Sequence, residues 1–336
     1  MSVDHWNDEI NLPVNLYPHD KTYFDKCLLW QYSNPKSENE YFTIVYPRGY
    51  CTNLALNPIK HIAPWDGFYK SFRKTYFLGD LITCFFKLKL RFTLNRSFFY
   101  CLNEFSDNYF HWFTEVLPKM IHVKKTEGGH AIFYIPFSLK DYQIQSLKIC
   151  GINFYKTEDQ ARIFRKLTIV KNCTIYPGIY HPTLLSETKH ILTKGRTFKS
   201  NKKRKVYVTR ENATRRRLIN EAEVIGVVKN YGFEIFDFDA IPFQEQVELM
   251  LETGVFISIH GAALTNMLFM PVKSVIIELL PIHFTNDKCY FILAGTLKHD
   301  YYYLNCEING SNHIASDYTA DVKALNALLN NIILNN

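Results

Sequence analysis

Val255-Phe256-Ile257-Ser258-Ile259-His260-Gly261-Ala262-Ala263-Leu264-Thr265-Asn266 decides how this 336-residue chain is read. An apolar, β-branched run stops at a histidine, passes through three small residues and resumes as an amphipathic stretch. The pattern predicts a buried strand over 255–259, a tight turn and a short helix over 264–270. In an open parallel sheet such a turn lies at the carboxyl end of a strand, where ligands bind. The first helical amides lack intrahelical partners, and the helix dipole favours an anion there. Small residues at 261–263 let a phosphorylated ligand approach the backbone. A plain strand-to-helix turn around a core histidine fits the same letters, and this segment alone does not choose.

The same alternation surrounds it. Strands are expected over 205–209, 233–238 and 275–280, helices over 220–231 and 243–253, and an amphipathic last helix over 320–334. Upstream, a strand over 97–102 and a polar turn at 103–108 precede a helix starting near Tyr109. Trp112, Val116 and Met120 recur there at spacing four, and Pro118 should kink or end the helix. A strand over 131–135, a helix over 139–150 stopped by Gly151 and a strand over 167–171 follow. Residues 187–205 read as a helix and a connector. Residues 1–95 mix short aromatic runs with Pro, Gly and Asn, with strands over 41–46 and 83–90. The expected class is α/β, with two Rossmann-like domains facing each other across a cleft. Residues 1–190 would form the first domain and 191–315 the second, with 316–336 a C-terminal helix packing back on the first.

Composition supports a folded chain: 47% of residues are hydrophobic and 21% charged, which excludes global disorder. The formal charge of +7 is uneven, because residues 194–217 hold eleven Lys and Arg against one acid, Glu211. Such a stretch seeks phosphate, nucleic acid or a membrane surface, although a solvated linker suffices for 202–205. The eight Cys show neither CxxC pairs nor short His/Cys spacing, so no zinc site or disulfide framework is indicated. Reduced thiols, a polar acidic N-terminus and no apolar run near the ~20 residues of a membrane span lead to an expectation of a cytoplasmic protein.

Four constellations in the second half carry chemistry. Arg210 ends a strand; Arg216 and Arg217 lead into a helix with Asn220 and Glu221 at its start; His260 opens the small-residue turn; Glu278 sits in an apolar strand. A carboxylate there is costly without a partner, either a pair of ligand hydroxyls or a nearby cation. The forked donors of Arg210 and Arg216 suit a diphosphate. In the first half His111 and Glu115 are four apart and share a helix face, the spacing of a general base with its orienter. A capped amphipathic helix with a solvated histidine reads equally well. Asp237-Phe238-Asp239 has the form of a metal-binding DxD, but three letters are too common to assign a metal.

Taken in order, these pieces resemble glycosyltransferase family 61. The resemblance rests on Val208-Thr209-Arg210, Arg216 to Glu221, Glu245-Gln246, His260 to Asn266 with Phe269-Met270-Pro271, and Glu278 to Pro281. Upstream, Asn108 to Pro118 matches the family's Asn-Tyr-x-His-Trp-x-x-Glu-x-x-Pro element, so about residues 98–285 are covered. It implies a fold of the glycosyltransferase B type and inverting transfer of a hexose or pentose from a UDP- or GDP-sugar to a glycan hydroxyl, in surface polysaccharide or glycan synthesis. By analogy Arg210 and Arg216 hold the diphosphate, the His260-Gly261-Ala262 turn faces phosphate, and Glu278 meets the ribose. Asn220, Glu221 and Asn266 belong to the same donor side. Asn108, Tyr109 and Trp112 would meet the acceptor, with His111 or Glu115 as base. No metal or cofactor is obligatory beyond the nucleotide sugar.

Eukaryotic members usually carry a membrane anchor or signal, which is not read here. The chain therefore points toward a microbial or viral enzyme acting from the cytoplasmic side. A lipid-linked acceptor would let 194–217 touch anionic headgroups as a peripheral membrane contact. A non-catalytic sugar- or nucleotide-binding member is the alternative. A nucleic-acid-binding protein is disfavoured, because no aromatic residue interrupts 214–220, and no nucleic-acid partner is expected.

Overall fold

The structure is a computed structural model, and it describes residues 6–25, 29–32, 34–45, 51–53, 57–62, 91–92, 97–103, 105–157, 161–171, 180–194, 204–281, 288–310 and 316–334. The strand expected over 83–90 lies outside them. The chain forms two compact units, Met1–Trp6 with Gln31–Gly195 and Asn7–Trp30 with Arg196–Asn336.

The first unit is built on a mixed sheet. Its strand order is Asn57–Ile62, Cys51–Asn53, Lys36–Val45, Arg162–Lys171, Phe99–Tyr100, Ile132–Ile135, Asn153–Lys156. The first three joints are antiparallel and the last three parallel. The expected 167–171 strand begins at Arg162, because it pairs along its whole length with Lys36–Val45. Strand Asn153–Lys156 was not expected: all four residues are exposed at the sheet edge, so no apolar alternation marks it.

The helix from Tyr109 is one continuous rod through Thr126, with a π-helical turn at Trp112–Val116. Pro118 therefore does not end it, one of the two outcomes expected of it. Proline has no N–H for the carbonyl four residues back. The π turn, in which the Leu117 N–H bonds the Trp112 carbonyl, widens the helix just before it.

The second unit holds a six-stranded sheet ordered Glu234–Phe236, Arg204–Val208, Thr253–Ile259, Val275–Leu280, Asp300–Asn309, Asp317–Ala320. All joints are parallel except the last. In chain order this is 2-1-3-4-5-6, a flavodoxin-like winding that reverses direction between Arg204–Val208 and Thr253–Ile259. Helices Glu221–Asn230 and Phe243–Leu251 form as expected. The expected helix at 264–270 is instead a 3₁₀ helix, Ala262–Phe269, entered by the Leu264 N–H bonding the Gly261 carbonyl. Helix Cys289–Thr296 and strands Asp300–Asn309 and Asp317–Ala320 were not anticipated.

Two expected boundaries are corrected. Leu325, Leu329 and Ile332 of helix Val322–Leu334 share one core with Val224, Val228 and Ile257, so the C-terminal helix belongs to the second unit. Its apolar positions recur at helical spacing and bury against the helix Glu221–Asn230. Residues near the N-terminus join the same unit: the Val14 N–H donates to the Tyr301 carbonyl at 2.9 Å, and Asn15 brackets the Tyr303 backbone at 2.7 and 3.1 Å. Phe24 packs edge-on to Phe291, ring centroids 4.9 Å apart. No helix among the described residues is long and apolar enough to cross a membrane.

Candidate active site

Arg204–Val208 and Thr253–Ile259 are sheet neighbours, and the chain leaves them as Thr209-Arg210 and His260-Gly261. This is the switch point of the winding. Arg210 Nη1 lies 3.2 Å from where a Cβ on Gly261 would stand, so the glycine makes room for the guanidinium. Its Nη2 donates to the Arg215 carbonyl at 3.1 Å, while its buried Nε has no acceptor. Burial, and then the charge of Arg216, pull the Arg210 guanidinium below its usual range. Arg216 itself stands in the left-handed region at φ 54°. Among the described residues, neither arginine has a carboxylate within ion-pair distance. Two repelling arginines without an ion-pair partner among the described residues are the charge pattern that an anion would satisfy.

Beside them His260 Nδ1 lies 2.5 Å from Glu278 Oε1, and the Tyr301 hydroxyl donates to Glu278 Oε2 at 2.6 Å. Glu278 is 2% and His260 7% exposed. The buried carboxylate thus takes its partners from within the protein, a histidine and a tyrosine rather than a Lys or Arg. Burial and the neighbouring Glu278 push the Tyr301 phenol well above its usual range, so it remains a donor. A carboxylate at Nδ1 sets the ring's tautomer and orientation. The edge of Tyr290 packs against the His260 ring at 5.2 Å. Tyr301 and Tyr290 were not anticipated, although the run Tyr301-Tyr302-Tyr303 carries the aromatic signature of a strand.

Other donor-side candidates serve the framework. Glu221 Oε1 accepts the Tyr207 hydroxyl at 2.7 Å and the Arg210 backbone N–H at 3.1 Å, so it holds Arg210 from behind. Asn220 spends both ends of its amide on Ala320, at 2.9 and 3.1 Å. Asn266 is buried beneath the turn, donating to Gln246 Oε1 at 3.3 Å and the Ala263 carbonyl at 3.2 Å. These three side chains make hydrogen bonds to protein partners. Ala262 starts the 3₁₀ helix and is half-buried. Asp237 accepts from Asn212 Nδ2 and from the Asp239 N–H, each at 3.0 Å, which makes a local turn. Among the described residues no three His, Cys, Asp or Glu are grouped to hold a metal ion. In the basic stretch, residues 195–203 lie outside the description, Arg204 pairs with Glu234, and Lys205 donates to the Tyr231 carbonyl at 2.8 Å.

In the first unit, His111 Nδ1 lies 3.0 Å from Glu115 Oε1, and Asn103 Nδ2 donates to Glu115 Oε2 at 3.4 Å. Glu115 is buried within the π turn while His111 remains partly open. Phe105 stacks on the imidazole with centroids 5.3 Å apart. This is a histidine oriented by a buried carboxylate that is itself oriented by an amide. Asn103 was expected only as part of a polar turn; its role depends on the turn folding back over Glu115. Asn108 caps the helix, its Oδ1 accepting the Phe110 N–H at 2.9 Å. Tyr109 packs against Phe113 and Tyr142. Trp112 is a correction: it is 0% exposed, its indole N–H donates to Ser146 Oγ at 2.9 Å, and no face remains for an acceptor.

Residues 109–277, half of the chain, match the family described as Glycosyltransferase 61. The matched span takes in both the His111–Glu115 pair and the Arg210–His260 site. The chain belongs to glycosyltransferase family 61. It is similar to an EGF domain-specific O-linked N-acetylglucosamine transferase of Rattus norvegicus, with 28% identity over 97 residues, 27% of this chain and 18% of that protein. The Gallus gallus protein of the same description is 30% identical over 84 residues, 24% of this chain and 15% of its own. The Beta-1,2-xylosyltransferase XYXT1 of Oryza sativa subsp. japonica is 31% identical over 87 residues, 25% of this chain and 18% of its own. The chain thus covers less than a fifth of each of these relatives.

Proposed function

We propose that this chain transfers a sugar, with inversion, from a UDP- or GDP-sugar to a hydroxyl of a glycan acceptor. One observation carries the reading: Arg210 lies over Gly261 beside the His260–Glu278 pair, at the switch point of a flavodoxin-like sheet. Open α/β sheets bind ligands at that place, and this one presents uncompensated positive charge there.

In this reading a base removes the acceptor proton as its oxygen attacks the anomeric carbon. The bond from that carbon to the diphosphate oxygen breaks in the same displacement. Negative charge grows on the departing diphosphate, where Arg210, Arg216 and the first amides of the 3₁₀ helix stabilise it. His260, held by Glu278, which Tyr301 holds in turn, would face the same group. Glu278 then acts through His260 rather than on the ribose. His111, oriented by Glu115 and Asn103, is the preferred base, because it is the partly open member of its group. The two-domain glycosyltransferase B arrangement, a lipid-carried acceptor near the basic 194–217 stretch, and action at the cytoplasmic face belong to the same proposal.

The test is a panel of nucleotide sugars, scored by thermal stabilisation and by release of the nucleoside diphosphate. A donor that binds raises the unfolding midpoint by mass action. Stabilisation by one nucleotide series with slow hydrolysis is expected; no response to any member would remove the donor assignment.

A further inference from the structure

The loop carrying Arg216 is tied to a strand a hundred residues downstream. The Tyr318 N–H donates to the Arg217 carbonyl and the Ile219 N–H to the Tyr318 carbonyl, both at 2.8 Å. Asp317 accepts the Arg217 N–H at Oδ1 and Arg217 Nη2 at Oδ2, each at 2.9 Å. Asn220 closes the far end on the Ala320 backbone. On the near side, Arg210 Nη2 holds the Arg215 carbonyl. Arg216 stands between these two anchorages in the left-handed region, which a side-chain-bearing residue keeps only where its surroundings impose it.

We infer that strand Asp317–Ala320 is the positioning element of the donor site, with Asp317 as the positioning residue that sets Arg216 against Arg210. This rests on the reading of Arg210 and Arg216 as the diphosphate grip. Arg216 sits immediately before the clamped segment, so its guanidinium follows the register of 217–220. The like-charge repulsion between the two arginines works against their approach, and the clamp opposes it. Arg217 and Asp317 also border an open groove of about 670 Å³, so exchanging or truncating either opens no buried cavity.

The test compares the full chain with Arg216→Ala, Arg217→Asp, Asp317→Arg and the charge-exchanged double variant. UDP and GDP are the probes, with affinity by calorimetry and unfolding midpoints alongside. Each single clamp variant is expected to lose about fivefold or more in nucleotide affinity; the double regains, relative to Asp317→Arg, the share of the side-chain pair but not that of the Arg217 N–H bond, which an arginine cannot accept. Asp317→Asn replaces Asp317→Arg if the latter does not fold. Single variants that bind like the wild type while Arg216→Ala is weakened overturn the clamp alone. So does a double variant that binds no better than Asp317→Arg. Wild-type affinity in Arg216→Ala, or no binding of either nucleotide by the wild-type protein, overturns the donor-site reading itself and the clamp with it.

Discussion

Arg210 lies across Gly261, its Nη1 3.2 Å from the point where a Cβ would stand. Gly261 is extended, with φ 168° and ψ 175°, so alanine fits its backbone. What alanine changes is the seat of the guanidinium. Gly261→Ala should leave the fold intact and lower kcat/KM by roughly tenfold or more, since small misplacements at a charge-stabilising site are expensive. A variant with wild-type kcat/KM would show that Arg210 does not need this seat.

Arg210→Lys should behave almost as badly as Arg210→Ala. The lysine keeps a charge but loses the fork that bonds the Arg215 carbonyl and, in the proposed reading, would also meet the donor. Loss of a preorganised donor at a developing anion is worth about 3 kcal/mol of transition-state stabilisation. Steady-state kinetics with a fixed donor decide this, and near-normal turnover in the lysine variant would count against a forked contact.

Glu278→Gln and Tyr301→Phe separate orientation from stability. The first removes the charge that faces His260 Nδ1 and should reduce turnover strongly. The second leaves Glu278 Oε2 without its donor and should mainly destabilise, by about 1–3 kcal/mol for a buried unsatisfied acceptor. Chemical denaturation and kinetics on both variants provide the comparison. Equal effects on turnover and stability in each would contradict the division.

His111→Ala should depress turnover far more than donor affinity, because deprotonation belongs to the chemical step. Glu115→Gln and Asn103→Ala should follow the same direction with smaller effects, as they act through the imidazole. A pure loss of donor binding in His111→Ala would take the base role away from it.

Burial pushes the thiols of Cys101, Cys150 and Cys306 up to about 12. In the native state they should resist alkylation at pH 8 and react only on unfolding. Their folded values lie above the unfolded value of 9.0, so the unfolded chain sheds these protons first. Their contribution to stability is complete below pH 9 and declines as pH climbs toward about 12. Rapid native labelling of Cys101, mapped by mass spectrometry, would contradict its burial.

The alternation of the second unit was legible because parallel strands buried on both faces read as unbroken apolar runs. Val275–Leu280 is one such run but for Glu278. Strand Asn153–Lys156 was not legible, because an exposed edge strand carries no such pattern. Asp300–Asn309 was missed although its tyrosine run was visible. Nor did helical spacing reveal that Pro118 would be absorbed by a π turn, since that depends on a single missing hydrogen bond.

By itself the sequence determined which residue types could bind an anion or move a proton, and the spacing that put His111 and Glu115 on one helix face. Tertiary structure decided their employment. Asn220, Glu221 and Asn266 carry donor-site letters and also hold the frame through hydrogen bonds, and Trp112 lies wholly in the core. Tyr301 and Asp317, distant in the chain, reach Glu278 and Arg217 only because the later strands fold against this sheet. Periodicity records which face of an element is apolar. Which partner a polar side chain meets depends on contacts between segments a hundred residues apart, and no local pattern encodes those.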